Sequence, residues 1–296
     1  MTELSKNRGL HTNLQKWLRK GLQRGAVLLT LLLFANTAHA AIRISPSFIE
    51  LDANKNKKDY ITGSFSVTGG KDETIRFKVY PEFFEYDKNG KFLEVEDKGQ
   101  PNSLMSHIKF FPSEFTCRNG SEQKVRFTLT DLKTLPTGDS RVVLFLEDLN
   151  TKEVAIKKAN GDIGGKIIVK TRVGVPVYLD KGLYTKRGTL ENLAFKKVGE
   201  QYQCDYKISS TGNSKIRYRG VAYLSQGKEL IKQFDVNGMT VQGGKFIEAA
   251  QKLDIPKDKL KAGQEYKIKF VLTYQDEKQN QKVLKKEITF IPDGTI

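Results

Sequence analysis

Short runs of alternating or β-branched residues, cut at intervals by turn-forming pairs, leave this chain little to fold into except antiparallel sheets. IRISPSFIEL, YITGSFSV, TIRFKVYPEFFEY, KVRFTLT, RVVLFLEDL and KIIVKTRVGVPVYL follow one another up to Leu179. Between them stand Gly69-Gly70, Asn89-Gly90, Asn119-Gly120, Pro136-Thr137-Gly138 and Asn160-Gly161. A two-residue period sends successive side chains to opposite faces of a sheet, and Asn-Gly tolerates the positive φ of a tight hairpin turn. Strands this short predict a sandwich or barrel rather than a parallel α/β fold.

A second series begins after the basic, Gly-containing stretch from Asp180 to Gly188: LAFKKV, QYQCDYKISS, IRYRGVAYLS, ELIKQFDV, KFIEAAQKL, EYKIKFVLTYQ and VLKKEITFI. Asn237-Gly238, Gly243-Gly244 and Ala262-Gly263 divide these runs. The boundary is expected near residue 182, giving domains over 41–181 and 182–296, each of ordinary domain size. KFIEAAQKLDI alone also reads as a short helix.

The N-terminus carries a different signal. A basic segment with Lys6, Arg8, Lys16, Arg19, Lys20 and Arg24 precedes the apolar run from Ala26 to Ala35, which is followed by Ala38-His39-Ala40. That order predicts a cleavable secretory signal over 1–40, a mature chain starting at Ala41, and no stable membrane anchor, since a spanning helix needs about 20 apolar residues. Without residues 1–40 the net charge falls from +16 to +11. The bases are spread along the chain instead of forming a stripe, so the charge suits solubility or an acidic partner, not nucleic acid. Cys117 and Cys204 fall in different expected domains and are expected to stay unpaired, although export would permit a disulfide.

Residues for catalysis are scarce. The mature chain has one histidine, His107, within LMSHIKFFP, which lacks a nucleophile-elbow pattern. No Cys/His set can hold zinc, no Gly-rich loop opens a helix, and Glu94 and Glu96 lie in a charged, loop-like segment. No nucleophile–base–orienter set can be assembled, so the reading is a non-enzyme without cofactor or metal.

FFPSEFTCRNGSEQKVRFTL, LPTGDSRVVLFLEDLN and KIIVKTRVGVPVYL, in this order, resemble the first domain of periplasmic pilus-assembly chaperones. The matching positions are Phe111-Pro112, Asn119-Gly120, Val125-Arg126-Phe127, Leu135-Pro136, Asp139-Ser140-Arg141 and Val175-Pro176. AIRISPSFIEL resembles the family's first strand, and the second half matches in outline through ISSTGNSKIRYRGVAYL and EYKIKFVLTYQ. The resemblance implies an all-β fold of two immunoglobulin-like β-sandwich domains in an L-shaped arrangement. It also implies residence in the periplasm and a role in capping pilus or fimbrial subunits by lending them an edge strand. An outer-membrane usher is a further candidate partner.

On that resemblance the lent strand is Lys166 to Val177, with Ile167, Val169, Thr171, Val173 and Val175 on one face and Ile168, Lys170, Arg172 and Gly174 on the other. The same alternation also describes a strand that simply packs its own core. The family clamps a subunit's terminal carboxylate with a basic residue on this strand, here Lys170 or Arg172, and an Arg on the first strand. The latter position falls near Ser47-Phe48, where no base stands, and the stretch before the lent strand, KKANGDIGGK, holds only Ile163 as a large apolar residue. The alternative is a secreted or surface immunoglobulin-like structural or adhesive protein that hands no subunit on.

Overall fold

The computed structural model describes residues 42–71, 73–150, 152–157, 163–256 and 259–292. The expected signal segment, the start at Ala41 and the Asn160-Gly161 turn lie outside the described residues. The first thirteen strands are β1 (Ile42–Ser45), β2 (Ile49–Asp52), β3 (Tyr60–Gly69), β4 (Thr74–Glu82), β5 (Phe84–Tyr86), β6 (Phe92–Glu94), β7 (Ile108–Phe111), β8 (Glu114–Arg118), β9 (Glu122–Thr130), β10 (Gly138–Asp148), β11 (Lys152–Lys157), β12 (Ile163–Val169) and β13 (Arg172–Lys181). The order β1-β3-β9-β7 makes one sheet and β2-β13-β10-β4-β8 the facing one. The opening stretch of the chain serves both sheets. β1 pairs antiparallel with β3, and β2 then runs parallel to β13.

Between the sheets Phe65, Val67, Val125 and Phe127 meet Phe77, Val79, Leu144 and Val177 in one apolar core. β10 is buried on both faces. Val142, Leu144 and Leu146 point into that core, while Val143 and Phe145 join Phe84 and Tyr178 under the β5–β6 hairpin. Burial on both sides accounts for the almost unbroken apolar run RVVLFLEDL. The Asn119-Gly120 turn forms as expected, with φ of 50° and 76°.

The remaining strands are β14 (Gly188–Val198), β15 (Gln201–Ser210), β16 (Ile216–Gln226), β17 (Glu229–Val241), β18 (Phe246–Leu253), β19 (Tyr266–Gln275) and β20 (Gln281–Phe290). They form a three-stranded sheet, β14-β15-β18, and a four-stranded sheet, β17-β16-β19-β20, around a second core that includes Tyr206, Ile208, Tyr218, Leu224, Phe270 and Leu272. The helical alternative for KFIEAAQKLDI does not occur. β18 alternates exposed and buried residues throughout, because Ile247, Ala249 and Leu253 reach the core only at a two-residue period. Asn237-Gly238 is not a divider either. It lies within β17 at a register shift, where a side chain on Gly238 would meet the Tyr218 carbonyl at 2.5 Å. Cys117 and Cys204 are both free and buried, one in each core.

A buried polar cluster joins the two sandwiches. Asp180 on β13 accepts a hydrogen bond from Ser214 Oγ at 2.6 Å and pairs with Lys186 at 2.8 Å and Lys215 at 3.3 Å. Nearby, Arg141 donates through Nε to the Phe84 carbonyl at 2.9 Å and reaches Glu85 at 3.1 Å and Asp139 at 3.8 Å. Gly138, at φ +114°, lets β10 begin against the second sandwich. A Cβ there would lie 2.5 Å from the Asn213 carbonyl, and the next N–H, of Asp139, donates to that oxygen at 3.3 Å.

Burial raises the Asp139 carboxyl above its ordinary value, against the pull of Lys215 and Arg141. Burial pushes Asp180 upward too, but Lys215, Lys186 and Ser214 outweigh it and hold the group below the usual value. With its folded pKa depressed, Asp180 contributes stability above the unfolded carboxylate range and loses it as pH falls through the folded value. Asp180→Asn leaves two nearly buried ammonium groups without their main counter-charge, a change that costs about 3–5 kcal/mol. Urea unfolding at neutral pH should show a loss of that order. Between neutral pH and about pH 3 the variant should lose less stability than the wild type. Equal midpoints at neutral pH would remove Asp180 as the anchor of this junction.

Candidate functional site

The lent-strand candidate is one arm of a hairpin longer than the sandwich that holds it. β10 pairs with β13 along its whole length, from Gly138 opposite Lys181 to Glu147 opposite Arg172. On the other side β2 covers β13 only from Val177 to Asp180. Arg172 to Pro176 therefore has no strand beyond it among the described residues. Past Thr171 the hairpin continues as a two-stranded ribbon, β11 against β12, which no third strand joins among the described residues.

Backbone orientation along this edge follows from one bond. Asp148 N–H donates to the Thr171 carbonyl at 2.9 Å, which turns the polar groups of Thr171, Val173 and Val175 toward β10. Those of Arg172 and Gly174 face outward, and Pro176 presents only a carbonyl there. A proline at this point forfeits no ladder bond, because its missing N–H would have pointed away from β10. Gly174 is required for packing, since a Cβ would meet Val143 at 2.7 Å.

The predicted row of side chains starts in the core and leaves it. Val175 is fully buried, Val173 is 38% exposed, Val169 44% and Ile167 50%, and Thr171 is exposed. Lys170 and Thr171 belong to neither strand, so the row is interrupted where the ribbon begins. Ile168, on the opposite face, is more exposed still. Lone exposed apolar residues need no explanation, but a run of them along a bare edge marks a surface that another chain can cover.

The two basic candidates both have carboxylate partners within the chain. Lys170 Nζ pairs with Glu147 at 3.2 Å, and that hydrogen bond is the main cause holding the Glu147 carboxyl below its ordinary value. Arg172 pairs with Glu94 on β6, approaches the Tyr80 hydroxyl at 3.5 Å and stacks 4.5 Å from the centre of the Phe145 ring. Arg172 thus ties the β5–β6 hairpin to the start of β13. Glu96, by contrast, pairs with Lys98 at 3.3 Å, and His107 hydrogen-bonds the Thr130 carbonyl at 2.9 Å.

A cleft of about 690 Å³, which the sequence alone did not indicate, opens between the sandwiches, with Phe48, Glu50 and Tyr86 on one wall and Lys186, Arg217 and Thr240 on the other. The Arg217 guanidinium lies 3.4 Å from the centre of the Phe48 ring, and its Nε donates to Thr240 Oγ1 at 3.3 Å. A base from the second sandwich therefore stands beside Phe48, where the first strand itself carries none. Among the described residues no group of three or more His, Cys, Asp or Glu could hold a metal, and no helix is long and apolar enough to cross a membrane.

The edge geometry makes an exchange pattern testable residue by residue. In the isolated protein the amides of Arg172 and Gly174 should exchange near the rate of solvent-exposed backbone, while those of Val173 and Val175, bonded into β10, stay protected. Amide-resolved hydrogen exchange reads this directly. Protection at Gly174 equal to that at Val175 would mean that the edge is already covered.

No protein-family model matches the chain, and no curated protein matches it by sequence. Among solved structures, the chain aligns with the CsuC–CsuE chaperone–tip subunit pre-assembly complex of Acinetobacter baumannii Csu pili at 13% identity, covering 83% of this chain and 98% of that one, with a TM-score of 0.42. It aligns with the YadV chaperone at 8% identity over 84% and 100% of the two chains, with a TM-score of 0.43. For the Pseudomonas aeruginosa CupB2 chaperone the values are 9% identity, 82% and 99% coverage, and a TM-score of 0.39.

Proposed function

We propose that this protein is a periplasmic chaperone that caps pilus or fimbrial subunits by donating the β12–β13 edge. The observation that carries the reading is the bare edge from Arg172 to Pro176, continued by a ribbon whose Ile167, Ile168 and Val169 face solvent. An incomplete partner sandwich exposes an apolar groove and unpaired backbone groups, and an added strand satisfies both at once. In this reading residues 41–181 are the lending domain, 182–296 its companion, and the signal segment delivers the chain to the periplasm.

Ile167, Val169, Thr171 and Val173 supply the side chains that enter the partner. Val175 contributes nothing directly, because its side chain fills the chaperone's own core and its backbone groups bond β10; the outward backbone groups are those of Arg172 and Gly174. A partner carboxylate that meets Lys170 or Arg172 must displace Glu147 or Glu94. These two bases therefore favour a carboxylate brought close by the strand pairing over one free in solution. An outer-membrane usher would receive the capped subunit. The reading involves no nucleic acid, cofactor or catalytic step.

Ile167→Asp with Val169→Asp places two charges on the ribbon, outside either core, and Arg172→Ala removes an exposed ion pair worth at most about 1 kcal/mol. All three substitutions should leave circular dichroism unchanged. The ribbon pair should lower recovery of a co-purifying subunit by tens-fold or more, and Arg172→Ala should lower it less. Full recovery of the subunit by the folded ribbon variant would rule out edge donation.

A further inference from the structure

The outer face of the β1-β3-β9-β7 sheet takes no part in the proposed edge donation, because β13 belongs to the facing sheet. Ile44, Phe65, Phe110, Val125 and Phe127 turn from its strands toward the first core. At a two-residue period the alternate residues turn outward, among them Arg43, Lys109, Phe111, Lys124 and Arg126, all exposed. Register gathers them. Phe111, Arg126 and Ser64 lie side by side across β7, β9 and β3, and the next row holds Lys109, Thr128 and Thr62. Lys124 shares a row with Ser66 and Ser45, and Arg43 stands beside Thr68. Directly opposed side chains lie about 5 Å apart and diagonal ones about 7–8 Å, so bases dispersed along the sequence meet on one surface.

The side chains of Arg43, Lys109, Lys124 and Arg126 make no ion pair or hydrogen bond among the described residues. On the second sandwich, by contrast, Lys267 pairs with Glu287 and Lys282 with Asp276. Glu122, opposite Thr68, is the one carboxylate among the outward residues of the four strands. The middle of the face is Ser, Thr and charge. Its large apolar side chains stand at the margins: Phe111, on the edge strand β7, is 76% exposed, and Tyr60, at the start of β3, is 43% exposed.

We infer that this face docks reversibly on an anionic lipid bilayer, with the four bases at the headgroup phosphates and Phe111 entering the interface. Charge of nearly one sign selects an anionic surface. The layout selects a bilayer over a folded protein. A protein interface centres on an apolar, charge-poor core, whereas here the centre is polar and the exposed aromatic stands at the rim. An aromatic ring beside lysine and arginine is the combination that seats a peripheral surface at the boundary of headgroups and acyl chains. Each base near an anionic leaflet adds to affinity, and the attraction fades within a Debye length. Four bases and one ring give weak attachment, not an anchor.

Co-sedimentation of the mature protein with vesicles tests this face, using mixed phosphatidylglycerol and phosphatidylcholine against phosphatidylcholine alone. The mixed vesicles should carry the protein down and the neutral ones should not, and raising salt from about 0.1 to about 0.5 M should release most of it. Lys109→Glu/Arg126→Glu should lower partitioning by about tenfold or more, and Arg43→Glu/Lys124→Glu should do the same from other positions on the face. Lys261→Glu/Lys285→Glu makes an equal change of net charge at exposed positions of the second sandwich and should bind as the wild type does. Phe111→Ser should lower partitioning several-fold. Circular dichroism checks that each variant is folded. No sedimentation of the wild type with the mixed vesicles would overturn the inference. Equal loss in the second-sandwich variant would assign binding to net charge alone and overturn it too. Undiminished binding by Phe111→Ser would show a general polyanion site in place of bilayer docking.

Discussion

The pairing of β10 with β13 governs what this molecule can do. β10 is held from both faces, by the first core beneath it and by the aromatic cluster under the β5–β6 hairpin above it. A strand fixed that firmly fixes its neighbour, so β13 has a defined register along ten residues. β2, with only four residues, covers less than half of the other side of β13. The remainder is an edge with no strand beyond it among the described residues, backed by a fully formed sheet. Proteins ordinarily blunt such edges because they invite pairing with other chains. Here the edge retains outward-facing backbone groups at Arg172 and Gly174 and leads into an apolar ribbon, an arrangement that costs solubility unless a partner uses it.

The same hairpin links the edge to the second sandwich. β13 ends at Asp180 and Lys181, and Asp180 gathers Lys186, Ser214 and Lys215 from beyond the linker. Strand and junction are therefore one continuous element: residues at one end form the bare edge, and residues at the other hold the companion sandwich. Opposite pKa shifts at Asp139 and Asp180 show how charge is distributed there. Burial raises both carboxyls, but Lys186 and Lys215 pair directly with Asp180 and outweigh it there, while at Asp139 burial prevails over Lys215 and Arg141.

Much of the fold was legible in the sequence because a two-residue period and Asn-Gly turns are local signals. KIIVKTRVGVPVYL shows its alternation directly, whereas the burial of RVVLFLEDL on both faces emerges only from the β5–β6 hairpin packed over it. Local signals also mislead where tertiary contact decides. The helix-like composition of KFIEAAQKL gives way to pairing with β15, and Asn237-Gly238 bends a strand without ending it. At the site, exposure of Ile167 and Val169 could not be separated from burial of Val175 by pattern alone, since all three share one alternation. Whether such a row faces a core depends on where the facing sheet stops. The ion pairs of Arg172 with Glu94 and Lys170 with Glu147 join positions 78 and 23 residues apart. The stacking of Arg217 on Phe48 joins two sandwiches, and no spacing in the chain announces it.

The proposed edge donation can be tested by photocrosslinking in cells that make this protein. A photoreactive benzoylphenylalanine would be placed at Ile168 or Val173 on the edge, and at Lys109 on the exposed face of β7 as a reference. Covalent adducts with one partner polypeptide from the two edge positions, and none from Lys109, are expected. Adducts from Lys109 alone, or equal adducts from all three positions, would contradict a partner seated on the β12–β13 edge.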